Sequence, residues 1–267
     1  MFKKLLMLSA LALLPYTLVA QEEHDEYELR GNEKMGWIIN KEGKKIEGVV
    51  KLVGTDQTPW ENQLKVKFIA FDEINKEKKR QKFKTLKTDE LKGYAAYDGE
   101  VLREFELIKY KNIRESSASD GSGVSGKIKL IKNLSTSEYM VEVVVPGAVK
   151  VYRLYGLPSS VAIGNAEVRE REQDIKYIIE SPTILVVKNG GKIEELNSSD
   201  FKKLTEDCSY VRTKMLNNEY ASYNPEKEEK KKSKLGALLK NEFELNGAKI
   251  QRMALEILPD YNENCGK

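Results

Sequence analysis

The strongest constraint on this chain is a set of turn dipeptides placed between short alternating apolar runs. MGWIINKEGKKIEGVVKLVG bends at Glu42-Gly43, YAAYDGEVLREFELIKY at Asp98-Gly99, and TILVVKNGGKIEEL at Asn189-Gly190-Gly191. Such steps accept the positive φ that two-residue hairpin loops demand, so each segment reads as an antiparallel hairpin. LKVKFIAF, KIKLIKN, EYMVEVVVP and AVKVYRLYG lie between them, and several alternate apolar residues with Lys or Glu, as strands buried on one face do. Residues 36–197 are therefore predicted to form an antiparallel β-rich domain, sandwich or barrel-like.

The period changes at Ser199. Phe201, Leu204, Cys208, Val211 and Met215 recur at spacings of three and four, one face of a helix that Ser198 or Ser199 can cap, with Asp200 in its first turn. A second amphipathic stretch from Gly247 carries Ile250, Met253, Ala254, Ile257 and Leu258 on one side, and Pro259 is expected to end it. Strands first and a small helical part last (198–267) define an α+β chain. SSASDGSGVSG, residues 116–126, reads as a flexible connection, and EKEEKKKSK, residues 226–234, as either a solvated helix or an unstructured insertion.

Lys3 and Lys4 precede the apolar run Leu5 to Leu14 and the step Leu18-Val19-Ala20, so residues 1–20 read as a cleavable signal peptide. The run falls short of the ~20 residues that span a bilayer, and no later run is long enough to span as a helix. The mature chain is expected to begin near Gln21 and to be periplasmic or secreted. QEEHDEYELRGNEK follows, and residues 21–35 are read as a mobile acidic leader. Loss of two lysines leaves 43 cations against 42 acids, a net charge of +1 in place of +3. With both signs interspersed, no net field drives binding to nucleic acid or anionic membrane, although local patches stay open.

Few residues point to chemistry. Cys208 and Cys265 are an even pair in an exported chain and read as a disulfide, with two buried thiols as the alternative. With two Cys and one distant His, zinc lacks its usual ligand count. Gly121 to Lys127, GSGVSGK, formally matches a phosphate-binding loop, but residue 128 is Ile where a Ser or Thr is needed, and no strand precedes it. His24, the only histidine, sits in the leader, which removes histidine-dependent triads. None of the 42 acids is singled out by spacing as a catalytic pair. Trp37, Trp60, Tyr152 and Tyr155 are candidate ligand-facing aromatics, with core packing as their alternative. No cofactor or metal is expected.

GWIINKEGKKIEG, KTLKTDELKGYAAYDG, KVYRLYG, FKKLTEDCSYV and the ending PDYNENC together resemble the uncharacterised exported proteins of Bacteroidota-type bacteria. Those begin with a signal peptide and an aromatic-Ile hairpin and end on a helix Cys and a Tyr-Asn-x-x-Cys step. The resemblance implies export and carries no catalytic residue. The expected function is a non-enzymatic envelope or secreted protein, a binding or structural scaffold for an unknown partner or ligand. The alternative is a carboxylate- or lysine-dependent hydrolase or transferase acting on envelope glycan or peptide. An outer-membrane barrel fits poorly, since Lys and Glu interrupt the strands and the chain ends in NENCGK.

Overall fold

The computed structural model describes residues 27–75, 77–78, 80–110, 137–158, 172, 175–223 and 239–266, with backbone alone for 137 and 239–246. The signal segment, His24, the connector at 116–126, the KIKLIKN run and the charged run at 226–234 lie outside the described residues.

Ten strands form one antiparallel sheet. They are β1 (Glu33–Asn40), β2 (Lys45–Lys51), β3 (Lys65–Ala70), β4 (Lys84–Lys87), β5 (Leu91–Asp98), β6 (Val101–Tyr110), β7 (Ser137–Val145), β8 (Val149–Leu154), β9 (Thr183–Lys188) and β10 (Glu194–Glu195). Their order is β10-β9-β8-β7-β6-β5-β1-β2-β3-β4, so two meanders join where β5 returns to pair with β1. Positive φ falls where the turn dipeptides predicted it, at Gly43, Gly99, Asn189 and Gly190. β5 and β6 pair Asp98 with Val101, leaving a two-residue loop.

The order forces the first half of the sheet to curl. β4 and β5 are four strand spacings apart in the sheet, about 19 Å if it were flat. Only Thr88–Glu90 joins them, and the four backbone steps from Lys87 to Leu91 reach about 14 Å. Gly36 and Gly48 are paired across β1 and β2, and a Cβ on either would stand 2.1 Å from the carbonyl oxygen of Ala95 or of Ile69, so neighbouring backbone approaches closely there. Curling brings Ile38, Val50, Val66, Phe68, Tyr94, Phe105 and Met140 into one buried cluster on the inner face. The one-turn helix Pro59–Gln63 is fastened to this part, with Tyr94 donating its hydroxyl to Asn62 O at 2.6 Å.

Directly paired residues share a face, so the inner face continues through Arg103, Glu142 and Arg153 to Val151 and Val186. There it is covered by the helices α1 (Asp200–Leu204), α2 (Ser209–Leu216) and α3 (Leu239–Asn264). Val145, Val149, Val151, Ile184 and Val186 pack with Phe201, Val211, Ile250, Met253, Ile257 and Tyr261. Cys208 and Cys265 are joined by a disulfide, Cα atoms 5.7 Å apart, which ties the end of α3 to the start of α2. The opposite, outer face of β6–β9 buries Ile108, Tyr139, Val141, Tyr152, Leu154 and Leu185.

Four elements differ from the sequence reading. β1 begins at Glu33, inside the segment expected to be a mobile leader. Glu33 is buried, accepting from Tyr27 OH at 2.9 Å and Arg30 N at 3.0 Å, and Lys51 stands 3.6 Å away. The helix expected through Cys208 is two helices, broken where buried Thr205 turns its hydroxyl back to Phe201 O at 2.8 Å. The intervening turn keeps apolar residues facing inward, so the period runs through the break. Pro259 lies inside α3 instead of ending it. Burial of Tyr261 just beyond it, and the tie at Cys265, hold the helix past a residue that costs about 3 kcal/mol in a helix interior. Residues 175–180 are also helical, between β8 and β9.

Candidate functional site

The four aromatics singled out from the sequence do not converge. Trp60 is buried in the one-turn helix Pro59–Gln63. Tyr152 is buried on the outer face of β8, donating its hydroxyl to Glu106 Oε2 at 2.7 Å. Tyr155 is half-buried just beyond β8, and its backbone N–H and C=O bond the Gln63 amide at 2.5 and 2.9 Å. Trp37 is half-buried and lies beside exposed apolar side chains.

Together they form a corner of the outer face that the sequence reading did not find. Trp37 on β1 shares its face with Met35, and the Asp98-Gly99 hairpin sets Tyr97 of β5 opposite Leu102 of β6. The Trp37 and Tyr97 rings meet edge to face, centroids 6.0 Å apart and planes at 69°. Lys45 Nζ stands 4.0 Å above the indole. Met35, Tyr97 and Leu102 are 40%, 45% and 37% exposed, too much for core residues of a sheet. Alternation of Met35 with Trp37 on one strand was the available signal; Tyr97 and Leu102 needed the β1–β5 pairing, which no local pattern reveals.

Glu142, Asp260, Asp207 and Tyr152 have displaced pKa values and bridge elements of the fold. Glu142 is buried between two guanidiniums, 2.7 Å from Arg103 Nε and 2.6 Å from a terminal nitrogen of Arg153. Burial opposes its charge, but the Arg103 hydrogen bond and both guanidinium charges outweigh it and hold the carboxyl below its ordinary range. Asp260 is likewise lowered against its burial by Lys214 at 2.5 Å and Tyr220 OH at 2.8 Å. Asp207 is lowered first by its hydrogen bond to Lys188, with Tyr261 OH at 2.9 Å adding to it. Tyr152 is raised by burial and by its bond to Glu106. A carboxylate kept ionised and filled with donors is a poor proton donor near neutrality, so these clusters act as fasteners between elements.

Concavities open on the surface of the described residues. One of about 610 Å³ lies beside α1 and α2, lined by Lys202, Thr205, Arg212, Met215, Leu216 and Tyr223. Another, about 490 Å³, lies under the β3–β4 connection and includes Ile69, Glu73, Lys78, Arg80, Lys82 and Lys84. Among the described residues no group of three or more His, Cys, Asp or Glu side chains could hold a metal ion, and no helix is long and apolar enough to cross a membrane. No protein-family model, curated protein or solved structure matches the chain.

Proposed function

We propose that the chain is an exported, non-enzymatic binding scaffold of the bacterial envelope or medium, and that the outer-face corner of Met35, Trp37, Tyr97 and Leu102 holds its ligand. The pairing of half-buried Trp37 with exposed Tyr97, flanked by exposed Met35 and Leu102, carries this reading. Large apolar side chains clustered on a surface, with an indole pinned by a neighbouring ring and by Lys45, are the composition of a recognition surface. The Cys208–Cys265 disulfide supports export, since such bonds persist in oxidising compartments.

The test is calorimetric titration of the chain from Gln21 with soluble envelope glycan fragments and peptides. Trp37→Ala and Tyr97→Ala are each expected to weaken binding by about tenfold or more while leaving the melting temperature nearly unchanged. Affinity that survives both changes, or conversion of the ligand to product, would refute the proposal.

A further inference from the structure

We propose that the basic concavity under the β3–β4 connection docks the protein on an anionic, phosphate-bearing lipid surface. Near-neutral total charge conceals a segregation. The chain carries 45 cations and 42 acids, but residues 76–87, KEKKRQKFKTLK, hold seven of the cations and one acid. The rest has 38 cations against 41 acids, so the excess of positive charge in the sequence is concentrated in this segment.

The structure gives this segment a shape. Lys78, Arg80, Lys82 and Lys84 stand at every second residue, and all four line the cavity of about 490 Å³. Glu73, the one acid of its lining, is bonded to Lys84. Among the described residues no carboxylate pairs with Lys78, Arg80 or Lys82. The intervening Gln81 and Phe83 are half-buried. Gln81 locks the loop: its Oε1 accepts from Asn75 N at 3.0 Å, and its Nε2 donates to Asn75 O at 2.6 Å and Lys78 O at 3.1 Å. Asn75 Oδ1 accepts from Glu77 N at 3.0 Å, closing the turn from its other end. The cations are thus held by side-chain bonds that serve the loop alone.

Edge lysines commonly guard a sheet against pairing with another chain. That role needs charge along the edge strand, whereas Lys78, Arg80 and Lys82 precede β4 (Lys84–Lys87). A planar anionic surface fits better than a nucleic-acid strand. The cations line one hollow, and the Phe83 ring, which could stack a base, already has Lys51 Nζ at 5.4 Å. Lys78, Arg80 and Lys82 are exposed on the connection that leads into β4, where they can meet the headgroups of an anionic surface.

Co-sedimentation of the chain from Gln21, which contains every described residue, tests the proposal. Vesicles of phosphatidylcholine with phosphatidylglycerol should bind it, and rising salt should release it. Lys78→Gln, Arg80→Gln and Lys82→Gln should each lower partitioning about fivefold. Gln81→Ala, which keeps every charge, should lower it as well. Lys202→Gln with Arg212→Gln at the concavity beside α1 and α2, and Trp37→Ala on the outer face, should leave it unchanged. The Trp37→Ala arm separates failure here from failure of the ligand corner. Equal binding to pure phosphatidylcholine, preference for single-stranded nucleic acid, release by inorganic phosphate at matched ionic strength, or a Gln81→Ala variant that binds as before would each overturn the proposal.

Discussion

One amide joins the last helix to the sheet. Asn262 donates to Pro146 O at 2.8 Å and Val149 O at 2.9 Å, and accepts from Val149 N at 2.8 Å, so it satisfies the backbone of the β7–β8 turn. A Cβ on Gly147, whose φ is +129°, would meet this amide at 2.5 Å, which leaves room for glycine alone. Asn262→Ala should lower unfolding free energy by about 2 kcal/mol, since it strands polar groups beside fully buried Val149; urea denaturation reads the change, and a loss within error would show that water replaces the amide. Glu142 makes a pH prediction. Its pKa is lowered by folding from 4.5, so the stability it contributes is complete above about pH 4.5 and is lost as pH falls through the folded value. Glu142→Gln should cost about 3 kcal/mol at neutral pH by leaving Arg103 and Arg153 uncompensated, and should flatten the acid limb of a melting-temperature profile. An acid limb identical to that of the parent chain would assign acid lability elsewhere. Neither residue was legible in the sequence: Asn262 lies 113 positions from Val149, and Glu142 lies 39 from Arg103. Among 42 acids nothing local marks the one that two arginines will enclose.

Elements were legible where local chemistry decides them. Gly43, Gly99 and Gly190 take the positive φ their turns require, so those hairpins could be read directly. Elements held by distant contacts were not. β4 has no buried residue and exists because Lys65–Phe68 of β3 pair with it. α3 (Leu239–Asn264) runs through Pro259, against its local propensity, because its far end is anchored. α2 is a weakly amphipathic helix of eight residues, too short to be stable alone, and depends on α3 and on the disulfide. Cys208→Ser with Cys265→Ser should therefore remove about 4 kcal/mol, the loop-closure value for a separation of 57 residues. Loss of α2 should precede loss of the sheet in hydrogen exchange: amides of Val211 to Met215 should exchange ahead of those of β8. Uniform acceleration across both would mean that the bond stabilises the molecule as a single unit.

The whole molecule is bound together more closely than its sequence order of strands then helices suggests. A change of period near Ser199 separates two compositions and places a boundary at residue 197, with the helical stripes expected to pack on each other or on the sheet. In the structure the two parts share a core, because the inner face of β7–β9 is the floor of the helical layer. Val145, Val149, Val151 and Ile184 are each at most 2% exposed, and Phe201, Met253, Ile257 and Leu258 cover the same cluster. Among the described residues, polar ties that cross the seam include Lys188 to Asp207 at 2.8 Å, Lys188 to Leu204 O at 2.8 Å, and Asn262 to the β7–β8 turn. Removing residues 198–267 would open a contiguous apolar strip across three strands of a ten-stranded sheet. Such strips drive self-association. A chain ending at residue 197 should accordingly bind a hydrophobic dye, sediment as oligomers and lack a sharp thermal transition, although the curled half around Tyr94 and Phe105 keeps its own buried cluster. Circular dichroism would still register strand. The deciding measurement is sedimentation equilibrium with a thermal scan: a monomeric fragment that melts cooperatively near the temperature of the full chain would establish that the helices decorate the sheet instead of completing it.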